Sequence, residues 1–400
     1  MKTAIVNLAT IVTGDWRRPF AKGDSILMNK GRITKVGTVT ARDVETCDVV
    51  LDADGMTAMP GMIDSQVHVA FADYTPRQRT IGFLESYLHG GTTTSISASE
   101  VHVPGRPSDP EGVKALAVAA KKCFDNYRPG GMRVHAGAII LEPGLAQADF
   151  DEVAALGVWI AKAGFGKVKT PFEYTPMVRM AQKAGMIVNV HTGGASIPDS
   201  SPITGDHLLD MRPDVSFHVN GGPVAMPDED FPRVINESDI ALQICQAGNI
   251  RTALMCLELT VAADQYDRFL IATDTPTGTG VMPLGMIKSV VEMACLSPNS
   301  AEMMIAAATG NVAKIYRLDN GFIKRGKDAD VLVVDAPLGG SQGTALAAIK
   351  HGDYPAIAAC FTDGIPRYIG HSRNTPPSTR KVKMIRNTVM NPFDPGRHTV

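Results

Sequence analysis

Long apolar runs, basic clusters, aromatic density and paired cysteines are all missing from this sequence, and each absence removes a class of protein. No uncharged stretch reaches the roughly 18 residues of a membrane helix. Basic and acidic residues nearly cancel, 39 against 41, and no Lys/Arg run or stripe forms a footprint for nucleic acid. Aromatics are 6% of the chain, too few for a base-stacking surface. The six cysteines, Cys47, Cys123, Cys245, Cys256, Cys295 and Cys360, form no C-x-x-C pair and no disulfide spacing. They read as buried free thiols in a reducing compartment. Met1-Lys2 runs straight into a strand-like segment with no signal-like stretch. The expected location is the cytoplasm, with neither membrane nor nucleic acid as partner.

What is present is enough apolar material for a large core: 44% of 400 residues. A single core stops growing at about 250–300 residues, so one large unit with a smaller companion is expected. Residues 1–58 read as short strands and turns: Thr3–Ala9, Ser25–Asn29, Ile33–Val36 and Val49–Ala53, with no helical period. From Met59 to about residue 314, short apolar runs alternate with longer helix-like stretches. Candidate strands are Gly61–Val69, Thr92–Ser97, Val134–Ile140, Val158–Ala163, Ile187–Val190, Val215–Val219, Ile240–Gln243 and Phe269–Ala272. Helices are expected over Gly112–Asn126 and Met177–Ala184, and one running to Ala308 capped by Ser297 with Pro298 at its first position. This alternation is the signature of an α/β fold, a (β/α)8 TIM-type barrel.

Strand-and-turn texture returns over residues 315–375, at Gly321–Lys324, Ala329–Val334 and Ala356–Thr362. Both chain ends are therefore expected to build one small composite β-sandwich domain, with the barrel inserted between its halves. Residues 376–400 read as a tail, an arm on this or a neighbouring subunit.

In such a barrel, polar residues that close strands point into the active site. Strand one ends in Asp64-Ser65-Gln66-Val67-His68, strand four carries Lys162, and strands five, six and eight close with His191, His218 and Asp274. Each alone has an ordinary reading: a histidine satisfied in the core, or a lysine facing solvent. Jointly they are metal chemistry, because imidazole and carboxylate suit Zn, with Fe or Mn as alternatives. Asp274 would take a proton from an activated water and return it to a leaving nitrogen. A Lys162 ammonium beside a metal is repelled. It either becomes a carbamate that ligates the metal or stays cationic and replaces missing metal charge.

The segment Pro60-Gly61-Met62-Ile63-Asp64-Ser65-Gln66-Val67-His68 resembles the P-G-x-I-D-x-H-x-H signature of the amidohydrolase superfamily. Gly321–Asp330 and the strand after it resemble the returning segment of that superfamily's small domain. Asp73–Gln78, Pro104–Pro107, His191–Gly194, Asn220–Pro223 and Ser372–Pro377 are similar to the branch that opens cyclic enamides. The resemblance implies hydrolysis of a C–N bond in a small cyclic amide or enamide bearing a carboxylate. It implies one or two divalent ions on His68, Lys162, His191, His218 and Asp274, and a homo-oligomer, a tetramer. Two positions depart from the pattern. Gln66 stands where the first histidine of the pair belongs, and Lys162 stands at the bridging carboxylate.

On the substrate side, Arg106, then Arg77, are candidates to clamp a substrate carboxylate through the planar fork of a guanidinium. Gln66 would orient water or substrate. Tyr74 and His102 would donate to a developing oxyanion. Two other readings stay open: a non-hydrolytic isomerase, decarboxylase or lyase using one metal or none, and a non-catalytic binding relative.

Overall fold

The computed structural model describes residues 1–71, 77–98, 101, 105–196, 200–222, 224–276 and 282–389, with side chains omitted at 77–79. The amino-terminal strands are β1 (Lys2–Val6), β2 (Thr10–Ile11), β3 (Ser25–Asn29), β4 (Arg32–Gly37), β5 (Val49–Asp52) and β6 (Thr57–Pro60). A short helix, α1 (Ala41–Glu45), interrupts them. It was not expected from the pattern, and a capping box nucleates it: the Thr40 side chain accepts from Asp43 N–H while Asp43 accepts from Thr40 N–H.

The central strands are β7 (Met62–Val67), β8 (Thr92–Ser97), β9 (Arg133–His135), β10 (Ala138–Ile140), β11 (Ile160–Ala163), β12 (Ile187–His191), β13 (Val215–Phe217), β14 (Ala241–Cys245) and β15 (Phe269–Ala272). Parallel pairing runs β7-β8-β9 in one sheet and β10 to β15 in another. The expected third strand is broken into β9 and β10 at Ala136-Gly137. There Gly137 has φ of +98°, and a side chain would strike Ala117 and Lys121 of the helix above. At the other junction, β15 meets β7: Asp274 N–H donates to Gln66 O at 2.9 Å and His68 N–H to Thr275 O at 2.8 Å. The strand order thus returns on itself, as a (β/α)8 barrel requires.

Helices between these strands include α2 (Arg77–His89), α3 (Pro110–Asp125), α4 (Gln147–Ala155), α5 (Tyr174–Lys183), α6 (Gly205–Met211), α7 (Asp230–Glu237) and α8 (Ile250–Ala262), and α9 (Gly285–Cys295), α10 (Ala301–Ala307) and α11 (Gly310–Ile315) follow β15. The start of α3 follows from sequence: Asp109 caps it, accepting from Gly112 N–H at 2.9 Å, and Pro110 occupies the first turn. Its buried residues Val113, Ala117, Ala120 and Phe124 recur at helical spacing. The helix expected from Ser297 starts later, with Ser300 at the cap position. Ser297 instead finishes the preceding helix by donating to Met293 O.

The chain closes with β16 (Val331–Asp335), α12 (Ala345–His351), β17 (Ala356–Thr362), β18 (Ile365–Ile369) and β19 (Lys383–Asn387). Gly321–Lys324, expected as a strand, is an irregular turn. Strands from both chain ends interleave as β18-β17-β16-β6-β2 and β19-β5-β1-β3-β4. One core of residues such as Ile5, Ile26, Leu51, Val331, Val333 and Phe361 joins the two sheets. The tail contributes β19, which pairs with β5 of its own chain. Cys123 is exposed and Cys295 half-buried, unlike the uniformly buried thiols expected. Among the described residues, no helix is long and apolar enough to cross a membrane.

Candidate active site

Strand periodicity decides which side chains enter the barrel. One cluster holds an apolar residue from nearly every strand: Ile63, Ile96, Ala138, Ile160, Ile187, Val215, Ala241 and Leu270. Alternation with period two puts Lys162 on the face of Ile160 and His191 on the face of Ile187. Two irregularities add the rest. The pairing of β7 with β8 shifts between Asp64 and Val67. Ser65 can therefore accept from Gln243 at 2.7 Å while its neighbour Gln66 turns to Asp274. His218, just past β13, takes φ of +35°, and Asp274 takes +59°. Such backbone is costly for residues with a side chain and concentrates at functional positions.

Asp274 is the hub. Gln66 Nε2 donates to its Oδ1 at 2.7 Å, and His68 Nε2 lies 3.1 Å from the same oxygen. Asp64 ties the two strands together below, accepting from Thr273 N–H at 3.1 Å and Gln66 N–H at 3.2 Å. Burial raises the Asp64 carboxyl to about 7 against these hydrogen bonds. Burial also raises Asp274, opposed by Lys162 and by the Gln66 amide. It lowers Lys162, opposed by Asp274. The two groups therefore approach each other in proton affinity. His68 falls to about 3 through burial and then the Lys162 charge, so its ring is neutral.

On the far side, the His191 and His218 ring centroids are 4.6 Å apart. His191 Nε2 engages Gly194 O at 2.7 Å. Burial, then His191 and Lys162, push His218 well below the ordinary imidazole range. Neutral imidazole is the form that ligates a metal. Lys162 Nζ sits 4.0 Å from the Phe217 ring centroid and 5.5 Å from that of Phe165. The buried atoms His218 Nδ1 and Gln66 Oε1 have no hydrogen-bond partner among the described residues. Among those residues, no three His, Cys, Asp or Glu side chains are grouped to hold a metal ion. His191 and His218 are thus two imidazoles brought side by side, and holding a divalent ion there would need a further donor besides them.

The remaining candidates divide. Tyr74, His102 and the Arg77 side chain lie outside the described residues; Arg77 opens α2. Arg106 is described, but its fork is not open to a substrate as expected. It pairs with fully buried Glu142 and donates to Phe165 O. Neither Glu142 nor Phe165 was among the expected site residues. Glu142 follows β10, so the rule of polar residues closing strands applies to it as well. Nothing in the pattern singles out Phe165.

Gly164, just after β11, has φ of +113°, and a Cβ there would lie 2.4 Å from His191 Cβ. Gly164→Ala is expected to displace His191 and lower kcat/KM about 10²-fold, since small misplacements of a reacting group carry losses of that order. Steady-state kinetics beside a thermal melt would check this; full activity would show that His191 is not held by this contact.

The amidohydrolase family model matches residues 57–368. Enamidase of Eubacterium barkeri is 41% identical over 385 residues, covering 96% of this chain and all of enamidase. The crystal structure of enamidase superposes with a TM-score of 0.91 over the same 96%. An adenine deaminase of Lysinibacillus sphaericus is 25% identical over 93% of this chain, which spans only 61% of that protein. A family match running from the last amino-terminal strand through the barrel to β18, together with a full-length relative of this identity, makes the chain a member of the amidohydrolase family.

Proposed function

We propose that this enzyme hydrolyses the C–N bond of a small cyclic amide or enamide carrying a carboxylate. The observation that carries this reading is the Asp274 carboxylate, buried and held by Gln66 and His68 next to Lys162, in a chain related to enamidase along its whole length. Members of this superfamily generally use a divalent metal. Here His191, His218 and a Lys162 carbamate would hold one ion, with Zn favoured over Fe or Mn, and His68 would serve a weaker second position. The ion, when bound, supplies polarisation of the carbonyl and acidification of water.

The protein groups do the rest. Asp274 accepts the proton of the attacking water as the new carbon–oxygen bond forms. When the carbon–nitrogen bond breaks, it returns that proton to the ring nitrogen, which leaves as the amine or enamine. Burial suits Asp274 to both roles, because a carboxyl raised toward neutrality both takes and gives a proton. Gln66 fixes the carboxylate by donating to Oδ1, and its Oε1 faces the reaction as an acceptor. Tyr74 and His102 remain our candidates for oxyanion donors and Arg77 for the substrate carboxylate. The barrel comprising residues 59–314, the flanking segments 1–58 and 315–375 and the tail 376–400 remain our division of the chain.

One observation favours a second reading: Lys162 Nζ sits 4.0 Å from the Phe217 ring centroid, a face that suits a cation, and Asp274 opposes the lowering of its charge by burial, so an ammonium can face a developing oxyanion in place of a metal. Turnover of a six-membered lactam or enamide carboxylate in heavy-oxygen water tests the shared core of both. Solvent oxygen is expected in the new carboxylate. Product formed without it would mean non-hydrolytic chemistry.

A further inference from the structure

The loop after β11 is held from three directions. The Tyr174 hydroxyl accepts from Gly166 N–H at 2.7 Å and lies 3.1 Å from Gly166 O, where it can donate. Glu142 Oε2 accepts from Lys167 N–H at 2.7 Å. The other Glu142 oxygen pairs with Arg106, and Arg106 also donates to Phe165 O. Between these anchors the Phe165 ring is 8% exposed, 5.5 Å from Lys162 Nζ and 5.1 Å from the His191 ring.

The pair itself is deeply buried: the side chains of Arg106 and Glu142 are 6% and 0% exposed. A buried ion pair adds little to stability over an apolar pair of similar size, because desolvating both charges offsets their attraction. What this pair adds is geometry. Arg106 comes from the segment between β8 and α3, Glu142 from the end of β10, and Phe165 from the end of β11. A planar guanidinium can grip a carboxylate and a carbonyl together, which a point charge does less well. The contacts therefore knit three successive strand ends at the side of the barrel where Lys162 and His191 lie.

We propose that Arg106 and Glu142 are positioning residues. They lock the loop at residues 164–167 so that Phe165 forms a fixed wall over Lys162 and His191 and keeps bulk water from the Lys162 side-chain nitrogen. The proposal rests on the reading of Lys162 and His191 as site residues. It replaces the expected role of Arg106 as a carboxylate clamp.

The test reads the accessibility of Lys162 without needing turnover. Full-length protein, first freed of metal by a chelator and of bicarbonate by dialysis so that Lys162 is an amine, is treated with cyanate, and carbamylation of Lys162 is followed by peptide mass spectrometry against the exposed Lys183. Phe165→Ala is expected to raise the Lys162:Lys183 ratio about tenfold, with a comparable rise in Glu142→Gln, a size suited to coupled neighbours. The double variant should be no faster than Phe165→Ala alone. Arg106→Met/Glu142→Leu, which keeps the buried volume, should retain the wild-type melting temperature yet show the same rise. On an active enzyme these variants should lower kcat more than they raise KM. An unchanged ratio in Phe165→Ala would overturn the wall. A rise in Phe165→Ala with none in Glu142→Gln would overturn the role of the pair. An inactive wild type would instead count against the proposed function and leave the cyanate result standing.

Discussion

Asp274→Asn is expected to lower kcat by about 10²- to 10⁴-fold, the usual contribution of a positioned general acid–base group, with KM nearly unchanged. The substitution preserves size, and the amide can still meet Gln66 or His68, so the melting temperature should stay close to wild type. What disappears is the capacity to accept a proton. Two of the neighbouring imidazoles are poor substitutes: His68 is driven to about 3 by burial and the Lys162 charge, and burial pushes His218 far below its usual range. Glu142 is committed to Arg106 and Lys167. Steady-state kinetics with a thermal melt decide the matter. A variant with more than a tenth of wild-type kcat would remove Asp274 from the proton-transfer role.

Lys162→Ala should be as damaging, with kcat/KM down by about 10³-fold, the scale of losing several kcal/mol of charge stabilisation. The cause can be read from chemical rescue. If Lys162 acts as a carbamate, formate or acetate entering the vacated space should restore turnover and raise metal content measured by ICP-MS. If it acts as an ammonium, methylamine or ethylamine should rescue instead, with metal content unaffected. Activity near wild type without any additive would dismiss both roles. Burial of the side chain at 1% exposure makes an idle lysine here costly, which is why a large effect is expected either way.

Much of the barrel was legible because its signals are local. Thr92–Ser97 and Phe269–Ala272 match their strands residue for residue, being short β-prone runs bounded by turn signals. The helix expected over Gly112–Asn126 is there as α3, though it begins two residues earlier, at Pro110 behind the Asp109 cap. The misses arise where a long-range contact overrides local preference. Gly137 splits a continuous apolar run because α3 packs against it. Gly321–Lys324 looks like a strand but finds no partner strand among the described residues. Ser297 has cap chemistry, yet the preceding helix uses it first.

The candidate site divides in the same way. Sequence by itself determined which chemical groups close the strands: Gln66, His68, Lys162, His191, His218 and Asp274 are fixed by composition and by a period of two. It also singled out Gln66 and Lys162 as the positions expected to depart from the family pattern. Only the tertiary structure decided whom each group meets. The register shift in β7 turns Gln66 onto Asp274, and the positive φ of His218 brings its ring beside His191. Burial moves Lys162 and Asp274 toward one another in proton affinity. Arg106, expected first as a clamp for the substrate carboxylate, is claimed by Glu142, far from it in sequence. The physical reason is common to all four: side-chain chemistry is a property of the residue, while charge state and partnership belong to the field and the neighbours that folding assembles around it.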